Sequence, residues 1–279
     1  MKVIKKINEM QLFSSRLKKR GKTIGLVPTM GALHEGHLSL MRRARKENDV
    51  VVSSIFVNPI QFGPHEDYKK YPRDFKKDER LAKGAGVHAI FYPDVKEVYP
   101  EGHSTFVEVE GMSNILCGLS RPGHFKGVTT VVAKLFNIVQ PDIAYFGQKD
   151  AQQTFIIKKM VMDLNMGLKI KVMPIVREKD GLAMSSRNVY LSQGERQDAA
   201  VLFSSLQMAA DMIKSGEIIS ARIISSIRDM IGKKKTTRID YVSLIDPTSL
   251  KEVKRISKGV MIALAVWVGK TRLIDNIIV

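Results

Sequence analysis

Apolar positions in the first two thirds of the chain alternate between short β-branched runs and segments with helical spacing. Thr23–Val27 is an apolar run that Pro28, a helix breaker, brings to an end. A glycine-bearing turn, Thr29–Gly36, leads into His37–Asn48, where Leu38, Met41 and Ala44 recur at helical spacing among basic residues. Val50–Val57 is β-branched again, and strand, helix, strand at this spacing predicts a βαβ unit with a right-handed crossover and a parallel sheet. Upstream, Asn8–Lys19 reads as an amphipathic helix capped by Asn8. Downstream, the pattern predicts a helix at Asp74–Lys83, strands at Ala89–Tyr92 and Thr105–Val109, and a helix at Gly127–Val139. A strand at Ile143–Phe146, a helix at Asp150–Asn165 and a strand at Leu168–Val176 complete the alternation. The expected fold class is α/β, with a Rossmann-like doubly wound parallel sheet over residues 1–176 and ligands outside the carboxyl ends of its strands.

The alternation stops in a polar loop, Arg177–Asn188. Helices at Glu195–Lys214 and Ser220–Ile231 then precede strands at Ile239–Ile245, Val260–Val268 and Arg272–Ile278, with Asp246-Pro247 as a turn. This predicts a smaller α+β domain over 177–279. Two glycine strings mislead. Gly84-Ala85-Gly86 has the look of a dinucleotide fingerprint, but it closes a helix and precedes a strand, the reverse of what that fingerprint requires. Gly269-Lys270-Thr271 resembles part of a phosphate loop, yet Leu264 stands where the first glycine belongs, and strands flank it, so a hairpin turn is expected.

Composition narrows the classes. The 279 residues carry 45 Lys+Arg against 28 Asp+Glu, a net charge of +17, and a single cysteine, Cys117, which excludes an internal disulfide and a cysteine-rich zinc site. The longest strongly apolar uncharged run, Gly259–Gly269, is far short of the ~20 residues a membrane span needs. No secretory signal is expected at Met1–Met10, and the location expected is the cytoplasm. The positive charge alone suits nucleic acid, anionic lipid or phosphorylated substrates. It is spread along the chain, and its densest cluster, Lys233-Lys234-Lys235 with Arg238, falls at a helix end, where cations complement the helix dipole. Neither a nucleic-acid nor a membrane partner is therefore expected.

The candidate chemistry lies between the first strand and its helix, in Pro28-Thr29-Met30-Gly31-Ala32-Leu33-His34-Glu35-Gly36-His37. Two imidazoles three residues apart at a helix start share a face, where unpaired N–H groups and the dipole attract anions. A metal pair is the alternative, but His65, His88, His103 and His124 are scattered and supply no third ligand at suitable spacing, so no protein metal site is expected.

This segment carries the H-x-G-H signature, and the chain resembles the pantoate–β-alanine ligases (pantothenate synthetases) of the adenylyl- and nucleotidyl-transferase superfamily. The resemblance runs from Thr23 to Ile278 and also rests on Phe56-Val57-Asn58-Pro59-Ile60-Gln61-Phe62-Gly63, Tyr71-Pro72-Arg73 and Arg121-Pro122-Gly123-His124-Phe125. Lys134-Leu135-Phe136-Asn137, Phe146-Gly147-Gln148-Lys149-Asp150-Ala151-Gln152-Gln153 and Ser185-Ser186-Arg187-Asn188 complete it. It implies ATP-dependent joining of pantoate to β-alanine through a pantoyl adenylate, with release of diphosphate and AMP, by a cytoplasmic homodimer. It implies ATP contacts at Met30, Gly31, Ala32, Leu33, His34, Glu35, Gly36 and His37, at Gly147, Gln148, Lys149 and Asp150, at Val176, and at Met184, Ser185, Ser186 and Arg187. His37 is the implied proton donor, with His34, Lys149, Ser185 and Arg187 as further catalytic groups. Gln61 and Gln153 are the implied pantoate contacts, Gln61 also serving β-alanine, and Val176 is placed to pair with adenine through its backbone. Arg121, His124 and Tyr71 stand in reserve on the pyrophosphate or pantoate side. Magnesium is implied as the ATP complex, held mainly by phosphate oxygens and water, with Asp78 as an auxiliary that is not itself counted as a ligand. Two alternatives remain open at this stage: a nucleotidylyltransferase that stops at the adenylated product, and a nucleic-acid-binding protein.

Overall fold

Short strands separated by helices give the first part of the chain the parallel sheet that its apolar spacing requires. The computed structural model describes residues 1–64 and 66–279. In it β1 (Lys2–Ile4), β2 (Ile24–Thr29), β3 (Val50–Ile55), β4 (Ala89–Phe91), β5 (Ile143–Gly147) and β6 (Lys169–Met173) pair in parallel in the order β1-β4-β3-β2-β5-β6. The helices that alternate with them are α1 (Ile7–Lys19), α2 (Glu35–Glu47), α3 (Phe75–Gly84), α4 (Val95–Val98), α5 (Cys117–Ser120), α6 (His124–Val139) and α7 (Ala151–Asp163). The chain builds outward from β2 through β3 to β4 and then restarts at β5 on the other side of β2. That reversal is the switch point at which open α/β sheets bind ligands, beyond the carboxyl ends of β2 and β5. Ile24, Leu26 and Val27 of β2 are fully buried, as a central parallel strand demands. His65, one of the scattered histidines of the sequence, lies outside the described residues.

Several departures from the expected elements have clear causes. β1 escapes periodicity because three residues are too few to show a period, and it forms by pairing with β4. Helix α1 starts at Ile7, not after Asn8; the Ile7 N–H donates to Glu97 Oε1 at 2.9 Å, so a distant carboxylate replaces the local cap. Thr105–Val109 is not a strand. Its polar backbone is satisfied by α6 instead, with the Val107 N–H donating to Thr130 Oγ1 at 3.0 Å and the Val107 carbonyl accepting from Thr129 Oγ1. The long helix expected over Glu195–Lys214 is two, α8 (Gln193–Ala199) and α9 (Val201–Lys214); α8 begins before Glu195 in a capping box between Ser192 and Glu195.

The remaining elements are α10 (Ser220–Gly232) and an antiparallel sheet of β7 (Thr237–Ile245), β8 (Met261–Val268) and β9 (Thr271–Ile278) in sequence order. Leu202, Leu206, Ile223, Ile227, Leu264 and Val266 form the centre of their apolar core. Gly269-Lys270 is the two-residue turn between β8 and β9. Contacts divide the chain into one unit of Met1–Gly147 with Gln153–Pro174 and another of Gln148–Gln152 with Ile175–Val279. The single cut expected at 176/177 thus differs from the observed division by the five residues after β5, the first two of which accept from Asn276 of β9 through their carbonyls, and by two residues at the crossing. No helix among the described residues is long and apolar enough to cross a membrane.

One polar cluster ties α2 to the sheet. Glu47 accepts from Tyr145 Oη at 2.8 Å and pairs with Lys171 and Arg43, while Asn48 Nδ2 donates to the same tyrosine oxygen at 2.8 Å. The Lys171 hydrogen bond is the main reason the Glu47 carboxyl is lowered to about 2. A carboxylate depressed in the folded state contributes stability above its unfolded value, and that contribution is lost as pH falls from the ordinary glutamate range toward 2. Glu47→Gln, which keeps the acceptor but not the charge, should therefore melt a few degrees below the parent protein at pH 7, with the gap closing by pH 2 to 3. Melting curves for both proteins across that range are the check, and a gap independent of pH would contradict the charge's role.

Candidate active site

The turn after β2 is shaped by a buried aspartate. Gly31 and Ala32 both have positive φ, +82° and +49°, which aims the N–H groups of Ala32 and Leu33 at Asp78 of α3. Ala32 N donates to Asp78 Oδ2 at 2.9 Å and Leu33 N to Oδ1 at 2.8 Å. Gly31 is required twice over, since a Cβ there would lie 2.8 Å from Asp78 Oδ2 on a backbone that L side chains resist. Burial pushes the Asp78 carboxyl up, and the two backbone donors offset this only in part. Both oxygens of Asp78 thus serve the turn. Among the described residues no group of three His, Cys, Asp or Glu side chains is disposed to hold a metal ion.

The turn delivers the two histidines as the cap of α2. His34 is the N-cap residue, and its Nδ1 accepts from Gly36 N at 3.1 Å; His37 Nδ1 accepts from His34 N at 3.4 Å. The rings sit 4.1 Å apart between centroids, tilted by 41°. An imidazole whose Nδ1 accepts a hydrogen bond carries its proton on Nε2 when neutral. The hydrogen-bond pattern therefore assigns both histidines an Nε2–H donor, a tautomer that the sequence leaves undetermined.

Gln61 is placed by a second set of contacts in the same unit. Its segment, the 3-10 turn Pro59–Gln61, rests against α6 at Gly127, where any Cβ would collide with the Ile60 carbonyl. Asn58 Nδ2 donates to Gln61 Oε1 and to the Gly127 carbonyl, each at 3.0 Å, while Asn58 Oδ1 accepts from Tyr99 Oη at 2.8 Å. Burial raises the Tyr99 phenol, so it remains a donor. The Gln61 amide group then faces Met30, with Nε2 at 3.1 Å from Sδ. Two of the expected contacts, Met30 and Gln61, are thus neighbours.

Arg121 and His124 bond to each other and to the Gln61 segment. Arg121 grips Glu66 through Nε and Nη2 at 2.6 and 2.7 Å, and its Nη1 lies 2.9 Å from His124 Nε2. Arginine only donates, so His124 Nε2 accepts and its Nδ1–H donates to the Gln61 carbonyl at 2.8 Å. Burial works against the Glu66 charge, but Arg121 outweighs it and holds the carboxyl below its usual range. Together these residues fix the backbone of Gln61. Tyr71 is buried and packs edge-on to Phe62 at 6.1 Å.

The other candidates belong to the second unit, apart from Gly147, the last residue of β5, and Gln153, the third residue of α7, which stay with the first. Gln148, Lys149 and Asp150 form a 3-10 turn, with Lys149 Nζ 3.9 Å from Asp150 Oδ1. Val176 lies past the end of β6, not at its last residue, and its carbonyl accepts from Met184 N at 3.0 Å, closing a loop. Ser185 caps the 3-10 segment Ser186–Tyr190 by accepting from Arg187 N at 3.2 Å. The loop is anchored by Asn188, which donates to Glu178 Oε1 at 2.7 Å, and by Arg196, which binds Glu178 and Asp180. Sequence reasoning missed the residues that support the candidates: Asn58 lay inside a quoted string without a role, and Tyr99 and Glu66 belong to no motif.

Known proteins resemble this chain over nearly its whole length. The profile of the Pantoate-beta-alanine ligase family matches residues 2–278. A pantothenate synthetase of Caldicellulosiruptor saccharolyticus is 56% identical over 279 residues, covering 100% of this chain and 99% of its own. One of Moorella thermoacetica is 55% identical over 278 residues, covering 100% and 98%. Pantothenate synthetase from Thermus thermophilus superposes with a TM-score of 0.95 at 43% identity, covering 99% of both chains. Pantoate-beta-alanine ligase from Francisella tularensis, complexed with beta-gamma ATP and beta-alanine, superposes with a TM-score of 0.81 at 35% identity over 99% of this chain and 97% of its own.

Proposed function

The chain belongs to the pantoate–β-alanine ligase family, and on that premise we propose that its geometry serves a two-step, ATP-dependent condensation of (R)-pantoate with β-alanine. As a member of that family, the enzyme is a ligase that uses ATP as substrate. In the first step a pantoate carboxylate oxygen attacks the α-phosphorus of ATP, forming pantoyl adenylate and expelling diphosphate. In the second the β-alanine amine attacks the acyl carbon, the C–N bond forms, AMP leaves with the electron pair, and the amine proton passes to solvent.

The observation that carries this reading is the histidine cap. Two Nε2–H donors held at the start of α2, with Nδ1 already engaged, suit the negative charge that develops on phosphoryl oxygens. His37 is assigned as the proton donor and His34 as its phosphate-side partner. Met30–His37 contact ATP through a turn whose path Asp78 sets. Lys149 supplies charge to the phosphates and Asp150 accepts from ribose hydroxyls. Val176 meets adenine, and Met184, Ser185, Ser186 and Arg187 bring two hydroxyls and a guanidinium fork to phosphate oxygens. Gln61 presents its amide N–H to pantoate and β-alanine from the position that Asn58 and His124 define, and Gln153 completes the pantoate contacts. Magnesium enters with ATP, bound by phosphate oxygens and water. The enzyme works in the cytoplasm as a homodimer.

Pyrophosphate and AMP release measured across substrate omissions tests the assignment. Pyrophosphate is expected with ATP and pantoate alone, and sustained AMP release only when β-alanine is added. Diphosphate release with no AMP even after β-alanine is added would instead indicate a nucleotidylyltransferase that stops at the adenylate, and AMP release independent of β-alanine would contradict the assignment. Gln153→Ala should raise the pantoate KM about tenfold or more, the cost of losing one or two hydrogen bonds to a charged ligand, with the ATP KM little changed. Initial rates against pantoate concentration provide the check, and an unchanged pantoate KM contradicts the contact.

A further inference from the structure

Strand β9 carries two adjacent buried polar residues to which the ligase assignment gives no role. Asn276, 3% exposed, donates from Nδ2 to the carbonyls of Gln148 at 2.9 Å and Lys149 at 3.0 Å, and its Oδ1 accepts from Gln148 Nε2 at 3.3 Å. Asp275, 2% exposed, binds the Arg177 guanidinium bidentately at 2.7 and 3.0 Å and accepts the N–H of Asn276 at 2.8 Å. Arg177 follows Val176, donates to the Gly181 carbonyl at 3.0 Å and lies over the Phe203 ring, 4.0 Å from its centroid. One dipeptide of β9 therefore grips both stretches of the second unit that carry expected ATP contacts.

We propose that Asn276 is a positioning residue for Lys149, and that Asp275-Asn276 holds the Gln148–Asp150 turn and the Val176–Arg187 loop in a fixed relation so that both act on one ATP. The proposal rests on the ligase reading above. Its physical basis is that lysine is a point charge on a flexible stem, so the place its ammonium reaches is set by where its backbone is fixed. Two carbonyls of the turn find their donor on a strand well over a hundred residues away in sequence, and the same stretch of strand fixes the base of the serine-arginine loop through a buried ion pair. A shift of one segment by an ångström removes its charge from a transition state that depends on placement. Burial alone does not account for the arrangement: a packing residue in this position needs no paired donors aimed at the carbonyls of a lysine turn.

The test uses the full chain with Asn276→Ala and Asn276→Ser, following pyrophosphate release at varied ATP, pantoate and β-alanine. Asn276→Ala is expected to raise the ATP KM at least tenfold and to lower kcat by a comparable factor. The pantoate and β-alanine KM values stay within twofold, because Gln61 and Gln153 are fixed by the first unit. Asn276→Ser, which retains one donor, should recover part of the loss. A purely structural role would instead reduce the folded fraction, lowering kcat and the melting temperature while leaving every KM unchanged. An ATP KM within twofold of the parent, or equal rises in all three, overturns the proposal; if the alanine variant does not fold, the serine variant carries the same criterion. A parent protein that releases no pyrophosphate on addition of pantoate would instead overturn the ligase reading itself, and this proposal with it.

Discussion

His37→Ala is expected to slow adenylate formation by roughly 10²- to 10⁴-fold, the usual range for removing a positioned proton donor, while leaving ATP affinity within a few-fold. A group that donates to charge developing in the transition state contributes to turnover and little to ground-state binding. His37 also has a structural task, because its Nδ1 accepts the N–H of His34 in the cap of α2. Glutamine in the same position of a capping box can accept that N–H. His37→Gln therefore separates the two tasks: the cap is kept and the imidazole donor is lost. Single-turnover pyrophosphate release and equilibrium ATP binding, measured on both variants, decide the matter. Equal losses of binding and turnover in His37→Ala, both restored by glutamine, would reduce His37 to a capping residue.

The second large effect is expected at Asp78, which touches no substrate in the proposed arrangement. Asp78→Ala strands the N–H groups of Ala32 and Leu33, each previously bonded to a carboxylate oxygen in a buried setting. An unsatisfied buried donor costs about 1–3 kcal/mol, so the pair is worth a few kcal/mol and the turn relaxes to find other partners. At about 1.4 kcal/mol per tenfold, kcat/KM for ATP should fall by roughly 10²-fold. Asp78→Asn, which retains an acceptor for one of the two donors, should fall between the alanine variant and the parent. Steady-state kinetics against ATP, together with a melting curve, test this. Activity near the parental level in Asp78→Ala would show that the turn holds its shape without the clamp.

The net charge of +17, which taken alone invites a nucleic-acid partner, shrinks in significance once cations are placed. Arg121 is bound to Glu66, Arg177 to Asp275 and Arg272 to Asp240, and Lys171 and Arg43 share Glu47. These cations hold the fold together. Lys149 and Arg187 are the cations proposed above to meet phosphate.

What the sequence by itself determined follows from interactions that are short in sequence. The strand at Thr23–Val27, the glycine turn and the helix after it were legible because apolar period and Gly31 act on their own neighbourhood, although Pro28 does not end the strand, which runs on to Thr29 in register with β3. So were the rejection of Gly84-Ala85-Gly86 and the hairpin at Gly269-Lys270, since each depends on what directly precedes and follows. The ligase family was legible because its motifs are contiguous strings. Tertiary structure alone decided the rest. β1 exists only because β4 accepts it, and Thr105–Val109 fails as a strand because Thr129 and Thr130 take up its polar groups. The tautomers of His34 and His37 became fixed once the cap geometry placed N–H donors at Nδ1. The positioning tasks of Asp78, Asn58, His124 and Asn276 have no local signature, because they bond to residues 45, 69, 63 and 128 positions away, respectively. A hydrogen bond depends on distance and direction in space, and the order of residues along the chain records neither until the fold has closed.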